Sequence, residues 1–276
     1  MTAKPVVAAT DGSAGSLRAI EFAVREAVLR SAPLRIISAA SLPKMVLLPL
    51  QPEHDAALGY VREHRDRALA AAAARAAELA PGLRIDTAPV EGQAARAVTG
   101  SGSGALMLVV GFRGIGAFPM TVLGSVARYV ADHASCPVAV VRDETVAARG
   151  LVGVGVGDLD DCAGTLAFAF EEAALRQAGL IAIHAWHAPQ AGTFWAGNQY
   201  PPPGMHVAAA AAARQLTLLM DTWRHKYPDV PVRHDVVHGH PGRALAGLSA
   251  RADLVVIGRH AVLNHAHGPV VIVPSS

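Results

Sequence analysis

Ten residues near the start of the chain, Arg25-Glu-Ala-Val-Leu-Arg-Ser-Ala-Pro-Leu34, return as Glu171-Glu-Ala-Ala-Leu-Arg-Gln-Ala-Gly-Leu180, 146 positions later. Val90-Glu-Gly-Gln-Ala-Ala-Arg-Ala-Val98 returns as Val237-His-Gly-His-Pro-Gly-Arg-Ala-Leu245 at 147, and Leu108-Val-Val-Gly111 returns as Val255-Val-Ile-Gly258 at the same spacing. Landmarks in one order at offsets of 146 and 147 mark a tandem duplication of a unit of about 140 residues. The expected boundaries are residues 1–143 for the first domain and 150–276 for the second, joined through Asp143–Gly150.

Within each unit the apolar pattern alternates between short buried strands and amphipathic helices. In the first, strands are expected at Val6–Thr10, Leu34–Ala40, Leu83–Val90, Ala105–Val110 and Val138–Arg142. Between them, Leu17, Ile20, Val24, Ala27 and Val28 form one stripe of a helix over Ser16–Ser31, and an Ala/Arg-rich helix covers Arg62–Leu79. Shorter helices are read at Gln93–Thr99 and Ser125–His133. The second unit repeats the plan with strands at Leu151–Val156, Leu180–Ala185, Val232–Val237, Leu254–Ile257 and Val270–Val273, and with a Pro/Gly-rich loop at Ala188–Met205. Near-continuous apolar strands separated by helices predict an α/β protein. The expected form is two tandem five-stranded parallel sheets in the order 3-2-1-4-5, with helices on both faces.

Composition removes several function classes. With 52% hydrophobic residues the chain has ample apolar surface to offset its conformational entropy, so disorder is not expected. The net charge is +2, with 15 basic and 13 acidic residues before position 147 and nine of each after it, so neither half carries a nucleic-acid footprint. Two cysteines, Cys136 and Cys162, are too few for a disulfide framework or a Cys-based zinc cluster. Met1-Thr-Ala-Lys4 leads straight into a strand-like run rather than a signal peptide, and apolar runs such as Val207–Ala213 fall far short of the ~20 residues of a membrane span. A cytoplasmic protein with no membrane or nucleic-acid partner is expected.

Ligands of open parallel sheets bind beyond the carboxyl ends of the strands, where strand order reverses. The turns at that edge are Asp11-Gly-Ser13, after strand one, and Gly111-x2-Gly114-x9-Gly124-Ser125, after strand four and leading into a helix. Glycines let backbone N–H groups approach an anion, and a helix start carries unpaired donors. Arg113 supplies positive charge and Ser125 a hydroxyl. Spacing alone leaves two readings open, a phosphate cradle or a loop merely punctuated by glycine.

Three segments, Val6-Val-Ala-Ala-Thr-Asp11-Gly-Ser13, the glycine motif and Cys136-Pro-Val-Ala-Val-Val141, resemble the universal stress protein family. The whole chain resembles its tandem two-domain form, frequent in actinobacteria. The glycine motif is similar to the ATP-binding signature of that family's nucleotide-binding branch, and all its positions are filled. The resemblance implies an adenine nucleotide alpha hydrolase-like fold, commonly dimeric, with ATP, accompanied by Mg, between the ends of strands one and four. Carried over by position, Asp11 meets the adenosine moiety with Ala9 and Thr10 beside it. Ala39 lines the adenine pocket, Val110 and Gly111 flank base and ribose, and Gly114, Gly124, Ser125 and Val126 hold the phosphates. Leu106 departs from the Asp usual in this family at the start of strand four, at the end of the strand remote from the nucleotide.

The second unit departs further. Gly157 stands at the place of Asp11, with Asp158 one residue on. Gly258-Arg-His260 runs directly into Ala261–Val270, which matches Tyr129–Val138 at an offset of 132, so Gly114–Arg128 have no counterpart. As written this is a degenerate domain without a phosphate loop. The close match after Ala261 favours the alternative, a loop omitted at His260–Ala261, which a Cα separation well above about 3.8 Å would reveal.

Other signals are weaker. Ten of thirteen histidines lie in the second unit, including His238-Gly-His240, but no acidic or Cys ligands accompany them, so no metal site is expected. Cys136 reads as packing, and Cys162 lacks a neighbouring base. Met45–Leu50 and Phe194-Trp195 either lie on the core or seal a contact between units or chains. There is neither a nucleophile elbow nor a standard P-loop. The functional expectation is an ATP-binding, nucleotide-dependent stress-response regulator, a homodimer or an intramolecular pseudo-dimer, with an unidentified regulatory protein partner. The alternatives are a slow ATPase or adenylyl-transferring enzyme, with Asp11 the sole evident base near the motif, and a nucleotide-free dimerising scaffold.

Overall fold

The computed structural model describes residues 3–40, 52–114, 123–142, 149–186, 205–259 and 266–274. The chain divides into two compact units, residues 1–145 with 268–274, and residues 146–267 with 275–276. No helix among the described residues is long and apolar enough to cross a membrane.

The first unit runs β1 (Val6–Ala9), α1 (Ala14–Leu29), β2 (Leu34–Ala40), α2 (Pro52–Leu79), β3 (Ile85–Glu91), α3 (Ala94–Ser101), β4 (Met107–Gly111), α4 (Ser125–His133) and β5 (Val138–Val141). Its strands lie in the order 3-2-1-4-5 and are parallel, with Val6 opposite Leu34 on one side and Met107 on the other. β1, β4 and β5 are buried almost throughout, because helices cover both faces; the edge strand β3 alternates between half-buried and exposed positions. Ser13 starts α1, its hydroxyl accepting from Ser16 N at 3.2 Å. α2 is ten residues longer at its start than the Ala/Arg pattern suggested, beginning on Pro52, a residue suited to a helix's first turn.

The second unit contains β6 (Leu151–Val156), α5 (Ala163–Leu175), β7 (Gly179–Trp186), α6 (Met205–Lys226), β8 (Val232–His238), α7 (Pro241–Ser249) and β9 (Leu254–Gly258). The strands follow β9-β6-β7-β8, all parallel, which is the 4-1-2-3 arrangement of the first unit. The duplication extends to detail: Ser31 after α1 and Gln177 after α5 are the described non-glycine residues with positive φ, at 50° and 51°.

The α/β class and the strand order hold. The expectation that every pairing is parallel does not. β10 (Val270–Val273), the fifth strand of the second repeat, packs with the first unit and runs antiparallel to β5, Val270 opposite Val140 and Ile272 opposite Val138. The physical reason is the edge of β5. All four of its residues are buried and apolar, and an open edge of that kind would leave a row of backbone donors and acceptors unpaired.

The His260–Ala261 junction, the helix expected after it, Met45–Leu50 and Phe194-Trp195 lie outside the described residues.

Candidate functional site

β1 and β4 are neighbours from which the strand order runs outward in opposite directions, to β2 and to β5, so a crevice opens at their carboxyl ends. It holds a cavity of about 240 Å³. The β1–α1 turn contributes Ala9, Thr10 and Asp11, and the end of β2 contributes Ala39. Val110, Gly111, Arg113 and Gly114 come from β4 and its exit, and Gly124, Ser125 and Val126 from the start of α4. All eleven residues singled out in the sequence therefore line one cavity.

Five further lining residues were missed: Ser16, Ala94, Val98, Phe112 and Ala127. Ala94 and Val98 belong to α3, whose apolar positions are indistinguishable in sequence from ordinary core. Ser16 carried a signal in hindsight, being a hydroxyl on the first turn of a helix that starts at the ligand edge.

The β1–α1 turn is held by its own side chains. Asp11 Oδ1 accepts from Ser13 N at 3.0 Å and from Ser13 Oγ at 2.6 Å, so the carboxylate closes a turn over its own backbone. Ser16 Oγ donates to Ser13 O at 2.9 Å and accepts from Asp11 N at 3.3 Å. With that hydroxyl proton committed, Thr10 Oγ1 is the donor across its 3.1 Å contact with Ser16 Oγ, and it accepts from Gly12 N at 3.2 Å. Gly12 has φ +82°, a conformation that a side chain would strain. From above, His64 of α2 places Nε2 3.1 Å from Asp11 O.

The opposite wall is the start of α4. Gly124 precedes it and has no side chain to cap the helix; among the described residues no side chain caps it. Gly124 N–H is itself engaged, donating to Phe112 O at 3.0 Å, and the first intrahelical bond runs from Arg128 N to Gly124 O at 2.9 Å. The amides of Ser125, Val126 and Ala127, on the turn that lines the cavity, are the orphan donors of a helix start. Phe112 is buried, and the Arg142 guanidinium lies 3.7 Å from its ring centroid. A Cβ on Gly114 would collide with the Asp11 carboxylate, so the loop backbone packs directly on that side chain.

The second unit is built differently at the same place. Asp158 Oδ1 accepts from Asp160 N at 2.9 Å, the same carboxylate-closed turn that Asp11 makes, shifted by one residue. The repeat places Gly155, Leu245 and Ile257 where the first unit has Ala9, Val98 and Val110. A Cβ on Gly155 would lie 2.5 Å from Leu245 Cδ2 and 3.2 Å from Ile257 Cγ2, so those two side chains pack directly on this glycine.

Four of the described histidines engage their own local backbone or a neighbouring strand. His240 caps α7, its Nδ1 accepting from Gly242 N at 3.1 Å, and the Nδ1 atoms of His133, His184 and His225 lie 2.7–3.0 Å from backbone carbonyls. Among the described residues no three His, Cys, Asp or Glu side chains gather as a metal site. Burial pushes the Cys136 thiol up to about 11, and burial with the nearby Asp158 and Asp161 charges raises Cys162, so neither is a ready nucleophile.

A family model described as the universal stress protein family matches residues 2–142 and again 150–274. The universal stress protein Rv2005c of Mycobacterium tuberculosis is 30% identical over 299 residues, covering 98% of this chain and 97% of the relative. Rv2623 of the same organism, also called a universal stress protein, is 30% identical over 269 residues, covering 92% and 85%. The crystal structure of a universal stress protein from Archaeoglobus fulgidus superposes with a TM-score of 0.72 over the full length of both chains at 15% identity, a likeness of fold.

Proposed function

Since the chain belongs to the universal stress protein family, we propose that it is a cytoplasmic regulator that binds ATP in its first unit. The observation that carries this reading is the pairing, across one cavity, of the Asp11 carboxylate with the uncapped first turn of α4. Three chemically distinct surfaces there suit the three parts of a nucleotide. Ala9, Ala39, Val98 and Val110 offer an apolar slot for a flat base. Asp11 is an acceptor suited to ribose hydroxyls, and the α4 amides with Ser125 Oγ and Arg113 are donors suited to phosphate oxygens. The cavity volume, about 240 Å³, suits a nucleoside, with the phosphates running along the start of α4.

Mg²⁺ fits as a phosphate-bound ion that keeps most of its water, with the Ser125 hydroxyl as the protein group suited to it. Asp11, the carboxylate among the cavity residues, is tied to Ser13, which supports a binding role over that of a general base. The pairing of β10 on β5 argues against a homodimer formed through that edge. The packing of Leu245 and Ile257 directly on Gly155 supports a second unit that takes no nucleotide.

The test is mass spectrometry of small molecules released on denaturing the purified protein, with calorimetry on the protein stripped of them. ATP is expected, and Gly124→Val is expected to weaken it by about 10-fold or more, equivalent to about 1.4 kcal/mol. A Cβ there lies 3.2 Å from Phe112 O, so a branched side chain forces the start of α4 away from the β4 exit. ATP affinity unchanged in Gly124→Val would overturn the phosphate assignment.

A further inference from the structure

α2 lies on the β1–α1 turn at two successive residues. At Gly12 the approach is so close that a Cβ would stand 3.3 Å from Ala68 Cβ and 3.7 Å from His64 Nε2. At Asp11, His64 Nε2 is 3.1 Å from the backbone carbonyl oxygen, and because a carbonyl only accepts, the ring nitrogen is the donor. The helix is tied down beside these contacts by Arg65, a buried guanidinium whose Nη1 donates to Glu91 Oε1 at 2.9 Å, at the carboxyl end of β3. Three contacts thus fix α2 against the ligand edge of the sheet, and one of them ends on the residue whose carboxylate faces the cavity.

The duplicated unit provides an internal comparison. Pro81 after α2 corresponds to Pro228 after α6, and seventeen residues before each stand His64 and Ala211. α6 still reaches its turn, but through Gln215 Nε2, which donates to Asp160 Oδ1 at 2.9 Å, a side-chain oxygen rather than the backbone of the cavity residue. The unit whose cavity Asp11 lines has the histidine; the unit in which Leu245 and Ile257 pack on Gly155 has alanine.

We propose that His64 is a positioning residue for nucleoside binding: by donating from Nε2 to Asp11 O, it sets the backbone from which the Asp11 carboxylate is presented to the cavity. This rests on the reading of the first unit as an adenine-nucleotide site. Asp11 Oδ1 is fixed to Ser13, so the carboxylate moves with the turn rather than independently of it. A turn that shifts by a few tenths of an ångström misaligns a carboxylate from hydroxyl donors that need near-linear geometry. The amide donors of the phosphate end come from the first turn of α4, an element separate from the β1–α1 turn.

That division gives the experiment its contrast. Binding of adenosine, ATP and inorganic tripolyphosphate is measured by calorimetry for the unaltered protein, His64→Ala and His64→Gln, with thermal melts of each. His64→Ala is expected to weaken adenosine and ATP about 5- to 10-fold while leaving tripolyphosphate within twofold. His64→Gln, whose amide donates over a similar reach, is expected to restore most of the loss. The ¹⁵N spectrum of His64 is expected to show a proton on Nε2. Adenosine affinity unchanged in His64→Ala, an equal loss for tripolyphosphate, or no recovery in a well-folded His64→Gln overturns the positioning role and leaves the nucleotide reading standing. Failure of the unaltered protein to bind adenosine or ATP overturns both.

Discussion

Asp253 and Leu106 occupy one place in the two units, just before β9 and β4, and explain each other through a proline. Asp253 Oδ1 accepts from Arg149 N at 2.6 Å and Oδ2 from Leu151 N at 3.1 Å, so it ties down the entry to β6. The residue that matches Leu151 in the first unit is Pro5, which has no N–H to satisfy. The backbone bonds are otherwise the same, Asp253 N to Leu151 O at 2.8 Å and Leu106 N to Pro5 O at 2.9 Å. Leucine at position 106 therefore leaves no donor at position 5 without a partner. Asp253→Ala is expected to destabilise the second unit by about 1.5–3 kcal/mol, the usual range for hydrogen bonds to a charged acceptor. Leu106→Asp is expected to stabilise nothing. Urea titrations of both variants check this, and a stability gain in Leu106→Asp would show that the carboxylate acts by something other than capping that amide.

Among the elements, β10 has the largest consequence for its size. Four residues, buried throughout, close the edge of β5 by antiparallel pairing. Parallel neighbours need a crossover of a dozen or more residues, whereas an antiparallel partner needs only to arrive from the other direction. Val271, fully buried and opposite Ala139, is the natural place to break the ladder. Val271→Pro removes an N–H from the strand and is expected to lower the melting temperature and to promote self-association through the uncovered β5 edge, seen as a concentration-dependent rise in sedimentation coefficient. A monomeric protein of unchanged stability would mean that the edge needs no cover. α4 is the complementary case, nine residues whose first turn is left without a side-chain cap among the described residues. Such a turn is energetically incomplete without a partner for its amides, and a bound phosphate supplies one.

At the level of the whole molecule, the duplicated units have diverged at the site while keeping the frame. The expected stoichiometry is one ATP per chain, abolished or sharply weakened by Asp11→Ala and untouched by Asp158→Ala, although both carboxylates close the same kind of turn. Calorimetry giving two sites per chain would show that Leu245 and Ile257 move off Gly155 to admit a ligand. The repeat, the α/β class, the strand order and eleven of the sixteen residues that line the cavity were legible in the chain. They depend on local signals: apolar runs, glycine spacing, and a polar turn at the end of each first strand. The direction of β10 was not legible, since its sequence reads the same whether it pairs parallel or antiparallel, and only the buried edge of β5 decides. Nor were Val98, His64 and Leu245, each on a helix far along the chain from the turn or strand it meets, with a spacing that also serves ordinary packing. The sequence by itself determined which segments become strands, helices and glycine-bearing turns, because those follow from periodicity and backbone freedom within a few residues. Only the tertiary structure decided which side chain stands over which turn, because that is set by packing between segments 50 to 90 residues apart, and there the same apolar pattern leaves Ala9 on a cavity in one unit and sets Leu245 and Ile257 against Gly155 in the other.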